Sequence, residues 1–307
     1  MQKEKLPNIV LVNTLCFLSM AMWAFAFPIA DVLLQTWGSI SLGLARQAIA
    51  LFTLLLMWCY LDGFVTVTRA PWLRGMIIGG IGFGVGAPLL LYGQRLSDPV
   101  TPALAAAMMP VAGAMLEVLF DQRKMTIWLW IGIALALCGG VLASGARLQH
   151  ASFGIGALLC LVSVVLFAWA SRAATTHCRE LSAMGQSTVT MAGAALVLST
   201  FVIIAKLFAL PGAAVGKLDT TMFLLLLFSG AVSLGVSQFL WIWAVGKIGV
   251  FLASVHMNAV PFYVMVIAVL ALGASWSWMQ SAGVMLVALG VMVTQLATAR
   301  RHGRLRV

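Results

Sequence analysis

Apolar positions along this chain gather into long runs, separated by short polar or basic breaks. A run of about 20 apolar residues is long enough to cross a bilayer core of about 30 Å as a helix. Ten such runs stand out, at 8–29, 38–60, 73–93, 99–120, 127–145, 153–172, 186–208, 221–243, 250–272 and 277–298. Backbone polar groups in lipid must be satisfied within their own segment, so the runs are predicted as helices. The pattern predicts an all-α membrane protein of ten transmembrane helices joined by short connections. The first run contains "AFA" at 24–26, a loose match to a cleavage site. Its full membrane length predicts a retained helix instead.

The runs also repeat. With Pro110 set against Pro261, Gly132 and Gly283 fall at equal distances downstream, and so do Gly139 and Gly290. The short basic break "YGQRLSDP" has a counterpart in "AVGKIGVF", and "FLSMAMWAFAF" loosely matches "LVSVVLFAWAS". Two five-helix repeats are therefore expected, one over 1–148 and one over 149–307, the second ending in a basic tail. Five is odd, so the second repeat enters the membrane in the opposite orientation. Inverted repeats mark secondary transporters, whose substrate site lies near the midplane between the halves. Alternating access by rocking one half against the other follows from that plan.

Composition agrees with the pattern. The 307 residues are 63% hydrophobic and 8% charged, with a mean hydropathy of +1.07. Soluble domains run at about 45–50% apolar and about 25% charged. The net charge of +10 raises nucleic acid as a partner, but its distribution argues for a membrane. With the amino terminus inside, Lys3, Lys5, Arg69, Arg74, Arg123, Lys124, Arg172, Arg179, Lys247, Arg300, Arg301, Arg304 and Arg306 are cytoplasmic. Only Arg95, Arg147, Lys206 and Lys217 then fall outside. That bias predicts cytoplasmic termini, with the tail "ARRHGRLRV" meeting anionic headgroups. The cysteines Cys16, Cys59, Cys138, Cys160 and Cys178 have no metal-site or disulfide spacing. No cofactor is expected.

The order of motifs resembles the drug/metabolite transporter superfamily in its ten-helix, EamA-type form. The matching residues are "MWAFAF" (22–27), "AR" (45–46), "FAWASR" (167–172), and Pro110 and Pro261 with their downstream glycines. The glutamate usual in the family after each proline is replaced here by Arg123 and Ala274. The resemblance implies a transporter of the bacterial cytoplasmic membrane that exports amino acids or related amphipathic compounds. Eleven tryptophans and 17 methionines suit an adaptable apolar cavity, which favours aromatic or neutral amino acids. Import, or transport of other metabolites or drugs, is the alternative reading. Coupling to protons or simple uniport both remain open, as do monomer and homodimer.

Polar residues in spans either glue helices together or line a wet cavity. In "ASVHMNAVPFY", His256 and Asn258 are candidates for a substrate's polar head, and His256 for a proton relay. On an α-helix these two would point about 200° apart, with Tyr263 on the stripe of His256. Ser237, Gln238 and Trp241 share a polar and aromatic stripe, with Gln238 the leading cavity residue. Trp23 shares a stripe with Ser19 and Phe27, and Trp169 is its rough partner. Tyr92 is placed near an outer gate. Arg46 is expected either to clamp carbonyls or to bind a carboxylate. Glu117 is expected at the inner interface beside Arg123 or Lys124. Pro88, Pro110 and Pro261 are candidate hinges. Glycines at four-residue spacing in "RGMIIGGIGFGVGAP" predict close helix packing. An intramembrane serine hydrolase built on "LGASW" (272–276) and His256 is the rival class, and Trp276 after Ser275 breaks its motif.

Overall fold

The computed structural model describes residues 9–96, 105–106, 108–122, 126–143 and 154–260, together with scattered positions between 263 and 293. The described residues are helical, with no strand among them. In order they form α1 (Ile9–Ala24), α2 (Ala26–Leu34), α3 (Ser39–Asp62), α4 (Phe64–Arg69), α5 (Trp72–Gly79) and α6 (Val85–Leu96). Then follow α7 (Met109–Asp121), α8 (Ile127–Ala143), α9 (Ile155–His177), α10 (Ala183–Leu207), α11 (Thr220–Phe228) and α12 (Ser237–Ser254). Among the described residues, six continuous segments are long and apolar enough to span a membrane: Ile9–Leu34, Ser39–Asp62, Trp72–Gly93, Ile155–His177, Ala183–Leu207 and Thr220–Met257.

The breaks within these segments have local causes. A π-helical turn, Gly80–Gly84, joins α5 to α6. Pro88 lies inside α6, and a proline strips the carbonyl four residues back of its partner and crowds it. That carbonyl belongs to Gly84, so the wider turn relieves the crowding where it arises. A second π-helical stretch, Ser229–Val236, joins α11 to α12. Within α12 the chain turns sharply at Gly249, whose φ of 82° suits glycine alone at no steric cost. The apparent length of Thr220–Met257 therefore covers two runs, as the hydrophobic pattern predicts. Pro110 sits in the first turn of α7, where its missing N–H breaks no helical bond. Pro261 lies outside the described residues.

The two halves of the chain interleave. α10 packs on α3 and α5, α9 on α6, and α12 on both α1 and α7. The α5–α10 crossing is close because glycine faces backbone from both sides. A Cβ at Gly79 would collide with the Thr190 carbonyl, and one at Gly193 with that of Met76. The main core runs through Cys16, Trp58, Met109, Ala168 and Trp241, leaving a hollow beside Trp241.

Candidate substrate cavity

A cavity of about 160 Å³ lies between the two halves of the chain. Its walls come from residues of α1, α2, α3, α6, α9, α10 and α12 and the turns that adjoin them. α1 and α2 supply Ser19, Met20, Trp23, Ala26, Phe27 and Ala30, and α3 supplies Gly43, Arg46 and Gln47. Gly82, Phe83, Gly86, Ala87, Leu90 and Leu91 follow from the π-turn and α6. The second half adds Ser163, Phe167, Met191, Leu198, Leu234, Ser237, Gln238, Trp241 and Met257.

The aromatic walls hold one another in place. Trp23 meets Phe27 edge-on at 5.0 Å; Phe167 lies 4.9 Å from Phe83 and 6.0 Å from Trp241. Trp241 is further fixed where its Nε1 donates to Ser171 Oγ at 2.8 Å. Glycine at 82 lets α9 approach, since a Cβ there would strike Ala170.

Most polar groups in the lining are already spent on structure. Ser19 Oγ donates to the Ser237 carbonyl at 2.8 Å, and Ser163 Oγ to that of Gly86 at 2.7 Å. Ser237 Oγ donates back to the Ser233 carbonyl at 2.6 Å, and Gln47 Nε2 to that of Met191 at 3.1 Å. Two groups are left over. Arg46 Nε and Gln238 Nε2 are buried without a hydrogen-bond partner. Buried polar groups are nearly always paired, and these two donors are available to an acceptor on a ligand.

Five of the expected residues, Trp23, Arg46, Ser237, Gln238 and Trp241, are brought together here. His256 is not in the lining. Its ring is fully buried, edge-on to Phe17 at 4.5 Å. Its Nδ1 lies 3.2 Å from both the Leu252 and Ala253 carbonyls, and Nε2 has no partner. The α-helical stepping assumed for this stretch does not apply, because Val255–Ala259 is a 3-10 turn. A tighter turn rotates successive side chains by about 120° and brings Met257 to the cavity instead. Asn258 falls in the same turn, and its side chain lies outside the described set. Tyr263 and Trp169 pack half-buried against the main core. Tyr92 is 53% exposed and does not line the cavity.

Outside the cavity lining, further contacts join the halves. Arg172 Nε donates to Asp121 Oδ2 at 2.7 Å, its Nη2 pairs with Oδ1, and its guanidinium stacks over Phe120 at 4.9 Å. Glu117 is buried. Its Oε1 accepts the Phe251 N–H at 2.9 Å, while Arg123 and Lys124 lie outside the described residues. Gln47, Ser163, Phe83, Phe167 and Met191 escaped the sequence reading. Only Gln47, next to Arg46, and Ser163, within an apolar run, carried a polar signal that could have found them.

A helical bundle enclosing an apolar cavity with a few unpaired polar groups defines a class, the membrane carriers of small molecules. The EamA-like transporter family model matches residues 10–145 and again 154–296. The chain belongs to that family, and it is a multi-pass membrane transporter of small molecules. Among curated proteins no match is found. A solved structure titled "Crystal structure of protein" is similar in fold, with a TM-score of 0.76 at 18% identity. The match covers 94% of this chain and 98% of the other.

Proposed function

We propose that the protein is a secondary carrier of a bacterial cytoplasmic membrane. It exports small amphipathic metabolites, above all neutral or aromatic amino acids, by alternating access through this cavity. The observation that carries the reading is the lining itself. Rings and thioethers wall a space into which two unpartnered polar groups project, the usual make-up of a small-molecule site. With both termini cytoplasmic, the cavity end faces outward and the Arg172–Asp121 and Glu117–Phe251 contacts form a closed inner gate. Pro88, Pro110 and Pro261 are the hinges of the rocking motion.

His256, buried behind the wall, suits packing better than a proton relay. Exchange or uniport is thus the favoured coupling. Efflux of labelled phenylalanine and leucine from proteoliposomes tests the reading. Saturable efflux that falls at least tenfold in Trp23→Ala and Gln238→Ala supports it; efflux equal to that of empty liposomes overturns it.

A further inference from the structure

Among the described residues, Arg46 in the cavity has no counter-ion. It is 7% exposed, its Nε has no partner, and it is the only charged side chain among the described lining residues. A guanidinium stays protonated in any protein, and a buried cation left unpaired is costly. Gln238 Nε2 adds a second unused donor to the same space. The hydroxyl protons of Ser19, Ser163 and Ser237 are spent on backbone carbonyls. What the site lacks is an acceptor carrying negative charge. A carboxylate is acceptor-only and matches a guanidinium, while Trp23, Phe27, Phe83 and Phe167 line the space with rings that suit a flat apolar body. No carboxylate lines the space among the described residues. An ammonium would meet rings and the neutral oxygens of Gln47, Gln238 and the serines, with Arg46 opposing its charge.

We infer that the group this site recognises is a carboxylate, so that it takes small monocarboxylates with a flat apolar body. An amino acid's ammonium is tolerated rather than required. This rests on the carrier reading above and narrows its substrate class. The bound anion also serves as the missing counter-ion of Arg46. A loaded cavity closes over a neutral pair, whereas an empty one would close over a stranded cation. Carboxylates should therefore exchange faster than they move net.

The test is calorimetric binding of phenylacetate, phenylalanine, phenylacetamide and phenethylamine to the purified protein in micelles. Phenylacetate should bind about 10- to 100-fold tighter than its amide, the ratio expected of a charge-assisted pair. Phenylalanine should bind more tightly than the amide, and phenethylamine most weakly. Arg46→Gln should bring acid and amide level, and Gln238→Ala should narrow the gap several-fold with the arginine in place. If Arg46→Gln does not fold, Gln238→Ala and the wild-type series still decide. Equal wild-type affinity for acid and amide, no binding of the acid, or an acid preference that survives Arg46→Gln would overturn the inference. Proteoliposomes separate it from the carrier reading. Strong acid preference without trans-stimulated flux of any probe refutes the carrier and leaves the carboxylate site standing.

Discussion

Glu117 in α7 accepts the backbone N–H of Phe251 at 2.9 Å, directly beyond the turn at Gly249. The carboxylate thus caps the first turn of a helix from the other half, where free N–H groups and the helix dipole favour negative charge. A Cβ at position 249 would lie 2.6 Å from Glu117 Oε1, so cap and glycine depend on each other. Glu117→Ala should cost about 1–3 kcal/mol by removing a charged acceptor from the buried N–H, and Glu117→Gln less. Gly249→Ala should cost at least as much, because strain and clash coincide. Thermal midpoints in detergent check the ranking.

The α5–α10 crossing makes a sharper comparison. Gly79→Ala drives a methyl into the Thr190 backbone, whereas a Cβ at Gly154 meets nothing within 4 Å. Overpacking against backbone costs about 1–3 kcal/mol or more, so Gly79→Ala should lower the melting midpoint and the yield of monodisperse protein. Gly154→Ala should match wild type in both.

Arg172 and Asp121 join the two halves outside the cavity lining, where the proposed inner gate closes. Their side chains are 10% and 41% exposed, so solvent screens the pair. A double-mutant cycle with Arg172→Ala and Asp121→Ala should return a coupling of about 0.5–1 kcal/mol that shrinks with added salt. A coupling of zero would remove this pair from the closure.

Trp241 combines a ring in the wall with a hydrogen bond behind it. Trp241→Phe keeps most of the ring and deletes the donor to Ser171. It should cost about 1 kcal/mol of stability and leave substrate affinity within a few-fold. Trp241→Ala should weaken binding further by opening the wall, which equilibrium binding of phenylalanine would register.

The six apolar segments among the described residues were legible in the sequence because lipid demands long apolar runs, and Trp23, Ser237, Gln238 and Trp241 were legible because helical spacing holds through those stretches. His256 was misplaced for the complementary reason. The 3-10 turn at Val255–Ala259 breaks the spacing on which its orientation depended. Glu117 illustrates another limit: its partner is a backbone amide in the other half of the chain, and backbone donors leave no trace in a residue pattern. Phe83 and Phe167 look like any other core aromatics until the fold leaves a hollow between them. Arg46 showed its charge plainly, but whether carbonyls answered it could be read only from the packed bundle.

Counterflow tests the carrier most directly. Proteoliposomes preloaded with unlabelled phenylalanine should take up labelled phenylalanine transiently above equilibrium, at a rate that saturates with external concentration. A cavity that faces one side at a time requires this overshoot. Uptake that rises linearly with concentration and is indifferent to the internal load would contradict it, and would make the molecule a channel.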